Sequence, residues 1–541
     1  MHFATILEGI SDRLGDREAL VHGALRRSWR DYEQRAARLA GAFAEAGLGP
    51  GAKVGLYLYN GPEYLEVGLA ALKQRMVPVN VNYRYVDAEL EYLLENSDCE
   101  ALVFDGALAE TVARVAPRMP RLRLCLQVGE AAFSARGASG YEEALAAASP
   151  APRIERQPDD LFMMYTGGTT GMPKGVMYDI GDFTAGVGNM LPLVLYARPP
   201  VATDEAAVAY ACKLDEEGKT PVFLPCSPLM HTAGLFQAMA AQLLGGRVVT
   251  LPERGFDPHA IWRTVSEEDV TAMVLVGDAF ARPLLDALEK TRGSERSYDL
   301  SALRHIISSG VSWSSEVKQG LLEFGDFVLI DGIGATEGAM GVQITQRGVA
   351  SETARFLRLA DTKVFSEDGR EIEAGSAEVG LIAAGGMLIP KGYYKDPEKS
   401  ARTFREIDGK RYAFIGDWGR IEADGTLVFL GRGSGCINTA GEKVFPEEVE
   451  TFLKTHPEVE DCLVVGVPDE RFGERVAAVV AARRPGRDLE PELLAYGTDR
   501  LAGYKRPRLI AQVARIPRAP NGKPDYEWAK KVATERAGRS A

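Results

Sequence analysis

Apolar and polar positions along the first 150 residues exchange repeatedly between a helical and a strand-like period. The spacing over 32–46 predicts an amphipathic helix, closed by Gly47 and Gly49-Pro50-Gly51. A strand is expected over 53–58, a helix over 63–73 and a short strand over 77–81. Strand-like runs return at 270–276, 305–308 and 327–330. This exchange predicts α/β sheets covered by helices. Downstream of about residue 350, short runs at 362–365 and 378–383 stand between Asp-Gly and Gly-Gly turns, the texture of an antiparallel subdomain. Asp424-Gly425 marks a hairpin between 420–422 and 426–430. Gly431-Arg432-Gly433-Ser434-Gly435 follows directly, either a hinge or an irregular turn. Beyond it are a helix at 446–453, strands at 461–467 and 475–482, a helix near 491–501 and a tail.

At 541 residues the chain exceeds one ordinary core, so at least two domains are expected. The texture divides it into 1–430, a hinge at 431–436 and a small domain at 437–541. With 46% apolar and 26% charged residues the composition is globular, not disordered. A net charge of −13 argues against a nucleic-acid or membrane-surface binder, yet a local loop can still be positive. The first eight residues lack the basic start and apolar core of an export signal, and no apolar run of about 18 residues suggests a membrane span. A cytoplasmic protein without stable membrane insertion is therefore expected. Its six scattered cysteines read as reduced thiols, with neither a disulfide framework nor a zinc site.

The strongest chemical signal is Tyr165-Thr166-Gly167-Gly168-Thr169-Thr170-Gly171-Met172-Pro173-Lys174-Gly175. Glycines let a backbone turn bring its N–H groups close to a ligand, threonine hydroxyls can donate to phosphate oxygens, and the lysine adds a mobile charge. The apolar run Leu161-Phe162-Met163-Met164 reads as a buried strand feeding this loop. A polyphosphate-binding loop is the reading, although Pro173 before Lys174 and Gly175 after it depart from the usual phosphate-loop motif. Asp331-Gly332-Ile333-Gly334-Ala335-Thr336-Glu337 offers a carboxylate and a hydroxyl at a strand end, suited to magnesium and phosphate. The same Thr336-Glu337 pair also suits the first turn of a helix. Asp417 between Gly416 and Trp418-Gly419 suits a ribose diol or a plain turn, and Asn521-Gly522-Lys523 is a sharp turn presenting a lysine.

Together these segments resemble the adenylate-forming superfamily of acyl-CoA synthetases, luciferases and peptide-synthetase adenylation domains. The resemblance also rests on Gly431-Arg432 and on Gly441-Glu442-Lys443-Val444-Phe445-Pro446, and covers nearly the whole chain. The fold it implies is a large α/β amino-terminal domain with two sheets and a β-barrel-like subdomain, plus a small mobile α+β carboxy-terminal domain. The activity it implies is adenylation of a carboxylic acid by ATP and Mg²⁺, releasing pyrophosphate, then transfer to coenzyme A with loss of AMP. By motif, Thr166, Gly167, Gly168, Thr169, Thr170, Gly171 and Lys174 would surround the β/γ-phosphates. Thr336 would touch the α-phosphate and Glu337 would bind magnesium; Ser309, Gly310 and Gly332 would line the adenine and acyl-carboxyl region. Asp417 would hold the ribose with Arg432 nearby, Lys523 would bridge carboxylate and α-phosphate, Gly441 would pass the pantetheine arm, and His231 would stand at the acyl-pocket entrance.

The stretch 432–450 looks most like bacterial fatty-acyl-CoA synthetases, including those acting on sterol side chains or alicyclic acids. Ser434 stands where many relatives carry Asp or Lys, and Ala440 where a glycine is common. Asn438 stands where luciferases carry lysine, which weakens an oxidative reading. A hydrophobic acid, medium- to long-chain or bulky, is the expected substrate. Small residues in Val276-Gly277-Asp278-Ala279-Phe280 either widen its pocket or lie on the back of a helix. The alternatives are an enzyme that loads a separate carrier protein and a retired nucleotide-binding scaffold. A homodimer is compatible with the resemblance.

Overall fold

The computed structural model describes residues 1–130, 138–166, 172–196, 200–294, 297–311, 313–349, 352–386, 388–439, 442–469, 473–484, 486–497, 501–518 and 522–540. Two parallel sheets build the first part. Strands Lys53–Tyr57, Val77–Asn80, Cys99–Asp105, Leu124–Val128 and Ser139–Gly140 form a five-stranded sheet. A second sheet of 14 strands has a parallel portion that includes Val222–Pro225, Ala272–Leu275, His305–Ser309 and Val328–Ala335. These strands are near-continuous apolar runs because helices cover both faces; all four residues of Ala272–Leu275 are buried.

The expected antiparallel subdomain is continuous with this second sheet. Strand Val328–Ala335 pairs parallel with His305–Ser309 on one side and antiparallel with Gly338–Thr345 on the other. From there Arg355–Arg358, Thr426–Arg432, Lys410–Ile421, Gly380–Ala384 and Lys363–Phe365 extend the sheet. A separate three-stranded antiparallel unit pairs Leu161–Thr166 with Lys174–Asp179, and the latter with Gly392–Tyr393.

The carboxy-terminal α+β unit has its own sheet, with Val459–Asp469 pairing Gly473–Ala482 antiparallel and Leu509–Val513 adding parallel. Helix Pro446–Leu453 packs on one face, and Ala529 and Ala533 of helix Tyr526–Ser540 on the other. That last helix and Leu509–Val513 occupy what reads as a tail in the sequence, and the helix expected near 491–501 is the shorter Glu490–Tyr496.

The helix expected over 32–46 begins earlier, as Trp29–Glu45. Ser28 caps it, its side chain accepting from the Asp31 N–H while the Asp31 carboxylate accepts from the Ser28 N–H. Such a cap contributes about 1 kcal/mol. Lys73, fully buried, joins three helices by donating to Glu8 and Glu33 at 2.5 Å each. Removing both carboxylates would leave an uncompensated buried charge, a loss of about 3–5 kcal/mol.

Candidate active site

Thr166 and Lys174 are register partners at the ends of two antiparallel strands, Leu161–Thr166 and Lys174–Asp179. Gly167, Gly168, Thr169, Thr170 and Gly171 lie outside the described residues. Thr166 and Lys174 line a cleft of about 580 Å³. The Lys174 ammonium lies 5.6 Å from the ring centroid of Tyr393.

Thr336 and Glu337 form a two-residue turn between Val328–Ala335 and Gly338–Thr345, with Ala335 paired to Gly338. The helix start that these residue types also suit is therefore absent; sheet pairing on both sides overrides the local preference. The turn projects into the cleft. Tyr178 donates its hydroxyl to the Thr336 carbonyl, and Thr336 Oγ1 lies 2.7 Å from Thr232 Oγ1. Tyr393 donates to Glu337 Oε1 at 2.8 Å. Burial first, and the Glu337 carboxylate second, push the Tyr393 hydroxyl well above the ordinary phenol range, so it remains a donor.

Asp417 and Arg432 face each other across two antiparallel strands, with Arg432 Nε donating to Asp417 Oδ1 at 3.1 Å. Burial raises the Asp417 pKa and Arg432 opposes that rise. Gly431, at φ +137°, lies where an added Cβ would come 2.2 Å from Glu447 Oε2. The first turn of helix Pro446–Leu453 thus packs directly on backbone that only glycine supplies. Ser309, Gly310 and Gly332 line the same cleft from the ends of neighbouring parallel strands. Gly441 and Ala440 lie outside the described residues, as do the side chains of Ser434 and Asn438.

His231 is the N-cap residue of helix Thr232–Leu243 and lines the cleft with Lys523. Burial first and the nearby Lys523 second hold the imidazole down to about 4, so it is neutral at ordinary pH. Lys523 is itself lowered by burial and by Arg432, against the pull of Glu337. It reaches the cleft because Gly522, directly before it, docks on the amino-terminal part. Gly522, at φ +72°, leaves only 3.1 Å between an added Cβ and Val276 Cγ1, and 3.3 Å to Ala279 Cβ. The small residues of 276–279 thus make room for Gly522, and Val276 lines the cleft as well.

Tyr178, Thr232, Tyr393 and Arg518 are site residues that carry no local signal. Tyr393 lies 56 positions from the carboxylate it holds. Arg518 donates to the Gly522 carbonyl at 3.0 Å and makes two 2.8 Å contacts to Asp461, which Lys454 also meets at 3.0 Å. The turn bearing Lys523 is therefore fastened to the carboxy-terminal sheet. Among the described residues, no group of three or more His, Cys, Asp or Glu side chains could hold a metal alone, and no helix is long and apolar enough to cross a membrane.

The chain matches the family described as AMP-binding enzyme over residues 7–394, and AMP-binding enzyme C-terminal domain over 448–523. A 3-oxocholest-4-en-26-oate–CoA ligase of Rhodococcus rhodochrous is 41% identical over 538 residues, 98% of this chain and 95% of the relative. A medium/long-chain-fatty-acid–CoA/3-oxocholest-4-en-26-oate–CoA ligase of Mycolicibacterium smegmatis is 39% identical, covering 99% and 97%. Among solved structures, the anthranilate CoA ligase AuaEII with anthranoyl-AMP shares the fold at a TM-score of 0.84 and 21% identity, covering 99% and 98%. The ATP-bound RpMatB-BxBclM chimera B1 reaches 0.80 at 26% identity, covering 99% of each chain. With both family domains matched in order and full-length CoA ligases near 40% identical, the chain belongs to the adenylate-forming superfamily, in its acyl-CoA ligase branch.

Proposed function

We propose that this chain is an ATP- and magnesium-dependent acyl-CoA synthetase for hydrophobic carboxylic acids, medium- to long-chain or bulky alicyclic. The observation that carries the reading is a carboxy-terminal lysine, Lys523, sharing one cleft with Glu337, Arg432 and an apolar helix face. In the first step a carboxylate oxygen of the acid attacks the α-phosphorus of ATP, the bond to the β-phosphate bridging oxygen breaks, and pyrophosphate leaves. Lys523 neutralises charge between the carboxylate and the α-phosphate where the new bond forms. Thr336 touches the α-phosphate. Thr166, Lys174 and the intervening loop with Thr169 and Thr170 hold the β/γ-phosphates. Asp417 receives the ribose diol beside Arg432.

Magnesium is commonly held by one or two carboxylates together with substrate phosphates and waters. Glu337, its Oε1 held by Tyr393 and its side chain lining the cleft, fits as that single carboxylate. When bound, the ion draws charge from the phosphates. In the second step the coenzyme A thiolate attacks the acyl carbonyl carbon, the bond to the AMP oxygen breaks, and AMP leaves. Lys523 must withdraw for this, with 437–541 turning on a hinge at 431–436 relative to 1–430, and Gly441 then passing the pantetheine arm.

The substrate class is supported by the apolar lining, which includes Val187, Phe236, Ala240 and Leu388, and by relatives named for fatty and cholestenoic acids. A cytoplasmic location goes with six free cysteines and with ATP and coenzyme A as co-substrates. A panel of acids with ATP, magnesium and coenzyme A, followed by mass for AMP and acyl-CoA, tests the reading. Thioester formation matched by AMP is expected; adenylate without thioester redirects the assignment to carrier loading, and neither product leaves a scaffold.

A further inference from the structure

Lys391, Lys395 and Lys399 stand four positions apart in the sequence, yet their surroundings differ. Lys391 pairs with Asp179 at 2.7 Å and Lys395 with Asp98 at 2.8 Å, and both lysines are exposed. Lys399 has no carboxylate partner among the described residues and lines the cleft instead. Its ammonium lies 5.5 Å from the ring centroid of Tyr393, the same ring that the Lys174 ammonium approaches to 5.6 Å. The local backbone fixes this placement. Asp396 accepts from the Lys399 N–H at 3.0 Å and so caps helix Pro397–Thr403. Ser400 Oγ accepts from the Tyr393 N–H at 2.8 Å and donates to the Asp396 carbonyl at 2.6 Å. Ring and lysine are thereby held as one unit.

Two ammoniums gathered on one ring repel each other, and an anion between them reverses the sign of that interaction. The cleft as a whole is built this way. Lys174, Lys399, Arg432 and Lys523 line it, with Glu337 the one carboxylate among its described lining residues, in a chain of net charge −13. Tyr393 also donates to Glu337 Oε1, so the ring that gathers both ammoniums stands beside the carboxylate proposed for magnesium. We infer that Lys399 is a second cation for the β- and γ-phosphates of ATP, and for the pyrophosphate they become, acting together with Lys174. This assignment rests on the acyl-CoA synthetase reading. When the bond from the α-phosphorus to the bridging oxygen breaks, its electron pair stays with that oxygen. The charge gained by the leaving group then meets a positive group already in place, and no proton has to move.

The test measures inhibition of thioester formation by inorganic pyrophosphate in the intact enzyme at saturating magnesium, with AMP as the companion inhibitor. In Lys399→Ala the inhibition constant for pyrophosphate is expected to rise about tenfold or more, the worth of one hydrogen bond between charged groups. The constant for AMP, which lacks both outer phosphates, should hardly change. Lys399→Gln, close to lysine in length, should show the same loss if alanine unsettles the helix, and Lys399→Arg should recover most of the pyrophosphate affinity. Lys391→Ala, which breaks only the exposed pair with Asp179, should match the parent. Thioester formation from supplied acyl-adenylate and coenzyme A should persist in every Lys399 variant, because that step involves no outer phosphate. An unchanged pyrophosphate constant in Lys399→Ala and Lys399→Gln, or an equal rise for pyrophosphate and AMP, would overturn the assignment. So would a raised magnesium requirement with pyrophosphate inhibition unaltered, since Lys399 would then only brace the Tyr393 ring. No AMP or thioester from any acid in the parent would instead overturn the synthetase reading.

Discussion

Replacing Lys523 by alanine separates the two half-reactions. The ammonium lines the cleft with Glu337 and Arg432, where the α-phosphate and the attacking carboxylate would meet. Two unit charges about 4 Å apart interact by about 4 kcal/mol at an effective dielectric of about 20. Removing one preorganised contact to developing charge costs about 3–4 kcal/mol, so the adenylation rate is expected to fall about 10²–10³-fold. The fold itself loses little, because burial and Arg432 already disfavour the charged lysine. Thermal stability of Lys523→Ala is therefore expected to equal or exceed that of the parent. Adenylation is read by ATP–pyrophosphate exchange with the acid present. The second step is read by adding synthetic acyl-adenylate and coenzyme A, which bypasses the first. Thioester formation from supplied adenylate should be little changed, since the proposed second arrangement withdraws Lys523 from the cleft. Equal loss in both assays, or a large drop in stability, would refute the reasoning.

Tyr393→Phe removes the donor that holds Glu337 Oε1. A hydrogen bond to a charged group is worth about 1.5–3 kcal/mol, so about a tenfold loss in adenylation is expected, with the magnesium concentration for half-maximal rate rising; an unaltered magnesium titration would count against the Glu337 role. Arg518→Lys loses the forked contact to Asp461 and the bond to the Gly522 carbonyl, so adenylation is expected to drop about tenfold while use of supplied adenylate is little affected. The adenylation rate should also fall on the alkaline side at a pH below that of an ordinary lysine, because burial and Arg432 lower the Lys523 pKa and the charged form is the active one. Lys523→Arg should move that limb upward, and a limb that stays in place would assign it elsewhere. His231, held down to about 4, is neutral from about pH 5 to 8, so His231→Gln should leave the shape of the profile unchanged over that range.

The sequence by itself determined the parts of this protein that depend on neighbours along the chain. Apolar period located Pro62–Lys73, Pro446–Leu453 and the parallel strands Lys53–Tyr57, Val77–Asn80, Ala272–Leu275, His305–Ser309 and Val328–Ala335, because a helix or strand shows its buried face at its own spacing. The turn between Lys410–Ile421 and Thr426–Arg432 was legible in Asp424-Gly425, whose local chemistry fits a hairpin. Motif order named Thr166, Lys174, Glu337, Asp417, Arg432 and Lys523 as one site, and all six side chains or their partners meet around one cleft. What only the tertiary structure decided involves residues distant in sequence. Thr336 and Glu337 suit a helix start locally, but pairing of the flanking strands makes them a hairpin turn. The smallness of Val276 and Ala279 has two local readings, and the docked Gly522 turn selects a third role for it. Tyr393 and Arg518 acquire meaning only beside partners that no window of sequence contains. Periodicity reports which face of an element is buried; it carries no information about what that face meets.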